Sequence, residues 1–173
     1  GASVVNALSI FCKVVVHRDG GIYMQEYSQG KKKANVKKIG SSKLHGTIVT
    51  FEPDEIIFGK QNFDLNRVVN HMRQQAYLVK NLRISIINAS SWDNTKGIDD
   101  SDVVYFRDLG LELPSTSFYF EGGLTSLIKF YNKFQKPIQS NIFYVEKELD
   151  GVGVEIALQY VDDIVDRITP FAN

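Results

Sequence analysis

Apolar residues fall at helical spacing near the start of the chain, where Val4, Val5, Leu8 and Phe11 predict one helix from Ala2 to Phe11 with a buried stripe. The period then changes. Lys13-Val14-Val15-Val16-His17-Arg18 is β-branched, Asp19-Gly20-Gly21 carries a turn signal, and Ile22 to Tyr27 alternates, which predicts a hairpin. Ser28-Gln29-Gly30-Lys31 predicts a second turn. After a basic stretch to Lys38, Gly46-Thr47-Ile48-Val49-Thr50-Phe51 predicts a third strand ended by Pro53, and with it an antiparallel meander.

Asp64 can cap a helix running to about Val79, with Leu65, Val68, Val69, Met72 and Ala76 on one face and Asn81 closing it. Leu82 to Asn88 alternates as a strand. Residues 90–115 hold Asp, Ser, Gly and Pro with little periodicity and predict a long connection or insertion. Phe118-Tyr119-Phe120 resumes a strand, Glu121-Gly122-Gly123 breaks it, and Leu124, Leu127, Ile128 and Tyr131 describe a helix that stops before Pro137. Ile142 to Val145 and Val152 to Tyr160 flank a Leu149-Asp150-Gly151 turn and predict a second hairpin. Helices interleaved with antiparallel hairpins make an α+β chain, a two-layer α/β sandwich rather than a parallel doubly wound fold.

Composition adds limits. Hydrophobic residues are 43% and charged residues 23% of the 173, as in ordinary folded proteins. Twenty Lys and Arg balance twenty Asp and Glu, so any nucleic-acid contact must come from a local patch rather than from overall charge. The single Cys12 excludes an internal disulfide and suits a reducing cytoplasm. No apolar run approaches the roughly 20 residues of a membrane helix, so no membrane partner is expected. A chain without an initiator Met that opens on a small-residue helix is expected to be a piece of a longer one.

Chemistry-bearing residues are sparse. His17, His45 and His71 are spread over a strand end, a loop and a helix, with no metal-ligand spacing, so no metal site is assigned to them. No serine stands in a nucleophile elbow and no motif surrounds Cys12, which gives no catalytic residue. Asp99, Asp100, Asp102 and Asp108, like Asp162, Asp163 and Asp166, are read as solvated acidic loops. Lys31, Lys32, Lys33, Lys37 and Lys38 form the one concentrated basic segment. It is read first as a sheet edge protected by lysines, with DNA phosphate contact as the alternative. Gly1 before a helix can face a phosphate, because the first helical N–H groups lack partners.

Seven segments resemble one family in its own order. They are Gly1 to Ser9, Arg18-Asp19-Gly20, Gly46 to Asp54, Tyr77 to Ile84, Phe120-Glu121-Gly122-Gly123-Leu124, Asn141-Ile142-Phe143-Tyr144, and Asp150 to Tyr160. Together they resemble the ATPase subunits of bacterial type IIA DNA topoisomerases, gyrase B and its topoisomerase IV counterpart. Residues 90–115 are longer than the family's turn at that place, and Val79-Lys80-Asn81 departs from its usual residues.

The resemblance implies the C-terminal half of a GHKL-type ATPase domain, after the ATP lid, over residues 1–120. Over 121–173 it implies the start of a transducer domain with a ribosomal S5-like fold. It implies ATP and Mg2+ as cofactors, with Gly1 and Ala2 at the phosphate-binding end of the lid, Thr47 helping to hold adenine, Val49 lining its pocket and Arg18 at the rim that aminocoumarin-type inhibitors engage. It implies DNA, a gyrase A or topoisomerase IV A-type subunit and a second ATPase domain as partners. The family's general-base glutamate, its magnesium-binding asparagine, its adenine-reading aspartate and its transducer lysine have no counterpart in these residues, so no ATP turnover is expected from this stretch alone. A stand-alone binding module of the same descent, without nucleotide, is the alternative.

Overall fold

The structure is a computed structural model that describes residues 1–60, 62–93 and 112–172. It divides into two compact units, Gly1–Phe63 with Trp92–Glu112, and Asp64–Ser91 with Leu113–Asn173.

The first unit opens with helix α1 (Ala2–Ala7) and continues through strands β1 (Ser9–Arg18), β2 (Gly21–Ser28), β3 (Lys31–Lys32), β4 (Lys37–Ser41) and β5 (Gly46–Pro53) to the single turn α2 (Glu55–Phe58). The helix is shorter than its apolar spacing predicts, and Phe11 belongs to β1. Backbone pairing ends it: Gln29 N donates to Ser9 O at 2.8 Å, Asp54 N donates to Leu8 O at 3.0 Å, and Ser9 Oγ turns back to Val5 O at 2.6 Å. Leu8 and Phe11 are at helical spacing while Leu8 and Ile10 are at strand spacing, so over so short a window either period fits and the sheet decides between them. A register shift between Ser9 and Phe11 leaves Ile10 exposed as the extra residue of a bulge.

The expected meander is also rearranged. The strand order is β3-β2-β1-β5, with β4 following β3 along the same edge of β2, so β5 crosses back to the far side of β1. β1 carries the buried Cys12, Lys13, Val15 and His17. Partners on both edges satisfy its backbone groups, which a buried strand cannot leave open.

The second unit holds α3 (Leu65–Leu78), β6 (Arg83–Ile87), β7 (Ser115–Tyr119), α4 (Leu124–Tyr131), β8 (Phe143–Leu149) and β9 (Val152–Leu158). Asp64 caps α3 as predicted, its carboxylate accepting from Arg67 N at 3.1 Å. α3 packs on the antiparallel β6–β7 pair and α4 packs on β9. Ala76, Tyr77, Phe118 and Leu127 are buried between them. The Tyr77 ring stacks on Phe120 at 3.8 Å, and the Arg73 guanidinium lies 5.3 Å from the Phe118 ring.

Three hairpin turns share one chemistry. Asp19-Gly20, Gln29-Gly30 and Asp150-Gly151 each take positive φ at both residues, the two-residue type I′ loop that matches the twist of the strands. Each fixes a register, and through it which side chains share a face.

Candidate functional site

Register places the residues expected at a nucleotide site. β1 pairs with β5 through Val16↔Thr47, Val14↔Val49 and Cys12↔Phe51, so these six side chains stand on one face of the sheet. Arg18, two residues beyond Val16, shares that face. The opposite face carries Lys13, Val15 and His17, all buried. The Thr47 face is the open one: Thr47 is exposed, and Val49 and Phe51 remain 50% and 41% accessible. A shallow apolar floor with a hydroxyl beside it can take a flat heteroaromatic ring by contact and orient it by a hydrogen bond.

Arg18 ends β1 on that face, with Nε 3.1 Å from Asp19 Oδ2. Both side chains are mostly exposed, so the pair contributes little and leaves the guanidinium available. Gly1 and Ala2 are placed apart from Thr47 and Val49. They begin α1, which is tied through Asn6, Leu8 and Ser9 to the end of the sheet where β1 starts. Val4 N and Val5 N both donate to Gly1 O, and no side chain caps the helix, which leaves the N–H groups of Ala2 and Ser3 directed outward. Gly1 itself meets open space, with nothing within 4 Å of an added Cβ.

Of the residues expected at a nucleotide site, Arg18, Thr47 and Val49 thus share one open face, while Gly1 and Ala2 stand toward the other end of β1. The residues present do not fit a magnesium site: among the described residues no three His, Cys, Asp or Glu side chains converge where a metal ion would sit. Asp162, Asp163 and Asp166 are exposed, as expected of a solvated loop. Asp99, Asp100, Asp102 and Asp108 lie outside the described residues.

One constellation escaped the sequence reading. In the second unit, Lys80, in the turn after α3, donates to Tyr144 Oη and lies 3.0 Å from Glu146 Oε2 and 3.4 Å from Glu155 Oε1. Tyr144 Oη lies 2.7 Å from each carboxylate, and its single proton can serve only one of them at a time. The ammonium, with three donors, supplies the rest. Burial, and then the balance of these hydrogen bonds, pushes the Tyr144 phenol up to about 12. The bonds from Tyr144 and Lys80 hold Glu146 below the ordinary carboxylate value, and those to Tyr144 and Glu146 hold Lys80 above the ordinary ammonium value. Close approach is possible because Gly123, at φ +52°, offers no Cβ; one placed there would lie 2.9 Å from Lys80 Cγ. A signal existed. The Asp150-Gly151 turn sets the β8–β9 register, which puts Glu146 directly opposite Glu155, and two like charges across a hairpin call for a cation.

No helix among the described residues is long and apolar enough to cross a membrane. No family model matches the chain. Among curated proteins it is similar to the DNA gyrase B protein of Bacillus mycoides, 33% identical over 174 residues that make up 100% of this chain and 38% of that protein. It is similar to the DNA gyrase B protein of Thermotoga maritima, 36% identical over 180 residues, 100% of this chain and 25% of that protein. The DNA gyrase B protein of Archaeoglobus fulgidus is 34% identical over 177 residues, 100% of this chain and 24% of that protein. The chain therefore spans about a quarter to two fifths of the length of these relatives. Among solved structures, the 43K ATPase domain of Thermus thermophilus gyrase B, crystallised in complex with an aminocoumarin, superposes with a TM-score of 0.71 at 26% identity, over 92% of this chain and 38% of that one.

Proposed function

This chain is homologous from end to end to a stretch of DNA gyrase B, with the fold of the gyrase B ATPase domain over most of its length, and on that premise we propose that it forms one wall of the ATP site of a cytoplasmic type II DNA topoisomerase subunit and the beginning of its transducer. The observation that carries this reading is the shared face of Arg18, Thr47 and Val49 on an open antiparallel sheet. In this reading Val14, Val16 and Val49 pack against adenine, the Thr47 hydroxyl orients it, and Arg18 stands at the rim. The outward N–H groups of Ala2 and Ser3, with Gly1 before them, face the phosphates. ATP supplies the free energy of DNA strand passage, and Mg2+ is held by parts of the subunit outside this stretch.

Residues 1–120 are assigned to the ATPase domain and 121–173 to the transducer. A boundary of descent need not coincide with one of packing, and α3, β6 and β7 pack in the same compact unit as the β8–β9 hairpin. With no counterpart in this stretch of the family's general-base glutamate, magnesium-binding asparagine or transducer lysine, it is expected to turn over no ATP by itself. The full-length subunit, mixed with its A-type partner and relaxed circular DNA, is expected to introduce supercoils only when ATP is present. Relaxed DNA left unchanged by an active preparation of both subunits rejects the reading.

A further inference from the structure

The charge of the first unit is unevenly laid out. Between Tyr27 and Phe51 the chain carries six lysines, Lys31, Lys32, Lys33, Lys37, Lys38 and Lys43, and no aspartate or glutamate. All six are exposed. β3 and β4 gather five of them along the outer edge of β2 and its adjoining turn, and the loop toward β5 carries the sixth. None forms an ion pair with a described residue: Lys32 Nζ donates to Asn35 Oδ1 at 3.2 Å, and Lys33 Nζ lies 5.4 Å from the centre of the Phe11 ring.

Edge protection explains lysines on the short strands β3 and β4, but not Lys33 and Lys43, which lie outside those strands, nor a run of six with no acid among them. The β8–β9 hairpin also has open edges, and it mixes Glu146, Lys147, Glu148, Asp150 and Glu155, with Lys80 drawn in to compensate. Six uncompensated like charges within a short segment repel one another, and a polyanion relieves that repulsion. Register shows the shape of the patch. Lys32 and Lys38 stand opposite Tyr27 and Tyr23, whereas Lys31 and Lys37 stand opposite Ser28 and Met24, so successive lysines alternate between faces. The charge forms a rim rather than a platform, and a rim suits the ridge of a duplex backbone.

We propose that the β3–β4 lysine rim is a contact surface for the phosphate backbone of double-stranded DNA, independent of base sequence. The proposal rests on the topoisomerase reading and gives it a DNA-facing surface. Phosphate contacts release counterions, so the dependence of affinity on salt counts them, at about 0.9 of a logarithmic slope unit per contact.

The test uses the full-length subunit without its A-type partner and a fluorescent DNA duplex of mixed sequence, titrated between about 50 and 200 mM salt. The Lys31→Gln, Lys37→Gln, Lys38→Gln triple variant is expected to reduce the slope by about 2.7, so that raising the salt weakens it roughly 40-fold less than the unaltered protein. The Lys129→Gln, Lys133→Gln, Lys136→Gln variant of the second unit keeps the original slope. Should the first triple variant fail to fold, Lys43→Gln, on a loop outside any strand, is expected to remove about 0.9. An unchanged slope in a folded rim variant overturns the proposal, and supercoiling retained by the unaltered protein would then leave the topoisomerase reading standing. A lowered slope in a protein that never supercoils upholds the rim and rejects that reading instead.

Discussion

The first unit leaves Thr47, Val49 and six lysines open to solvent, whereas the second brings Lys80, Tyr144, Glu146 and Glu155 within hydrogen-bonding reach of one another. Both are built from type I′ hairpins with helices packed against them, so the contrast does not come from architecture. It comes from where polar groups find partners. In the first unit these groups are left facing solvent. In the second they fasten the β8–β9 hairpin to the turn after α3, so a disturbance there should be felt as stability rather than as binding.

The largest expected break in that contrast is Gly123→Ala. Gly123 begins α4 at φ +52° and ψ −125°, a region that residues with a Cβ rarely adopt, and the added atom would press on Lys80. A loss of about 1–3 kcal/mol is expected. Hydrogen exchange should show it in α3, α4 and β8–β9, with the β1–β5 amides unaffected. Next comes Asp54→Ala in the first unit. Asp54 is buried, accepts from Ile56 N at 2.9 Å and takes the Gln29 side-chain amide at 2.7 Å. Its removal uncaps α2 and leaves the amide unpaired, about 1–2 kcal/mol, and exchange should accelerate at the β1–β5 end instead.

Lys80→Met is expected to act more mildly and in a diagnostic way. It lowers the thermal midpoint of the second unit by leaving Glu146 facing Glu155, and adding Glu155→Gln restores part of the loss. The pH dependence follows from the direction of each shift. Glu146 is depressed below its ordinary 4.5, so its contribution is present above that value and is lost as the pH falls through the folded value. Tyr144 and Lys80 are raised above their ordinary 10.0 and 10.5, so theirs is present below the ordinary values and is lost as the pH climbs through the folded values, for Tyr144 about 12. Melts of the unaltered protein should therefore fall off at both extremes, and those of Lys80→Met should fall off less steeply at the acid end, where Glu146 has lost the cation.

Local chemistry is legible in the sequence and long-range chemistry is not. Asp19-Gly20, Gln29-Gly30, Asp150-Gly151 and the Asp64 cap announce themselves within four residues, and each takes the expected form. The end of α1 differs from its apolar spacing because the competing hydrogen bonds come from Gln29 and Asp54, far along the chain. Strand order differs for the same reason: nothing near Gly46 says that β5 returns to β1 rather than lying beside β2. The common face of Arg18, Thr47 and Val49 depends on that pairing, so residue types point to the site while only register assembles it. Lys80 could have been sought from the opposed glutamates, although its approach over Gly123 could not.

Nucleotide binding by the first unit's open face is the central claim, and Thr47 tests it most directly. Titrating a nonhydrolysable ATP analogue into the full-length subunit, unaltered and as Thr47→Ala, should show affinity falling about tenfold, the equivalent of one net hydrogen bond, with the melting temperature of the free protein unchanged. Equal affinity in the two proteins would remove Thr47 from the site and contradict the account.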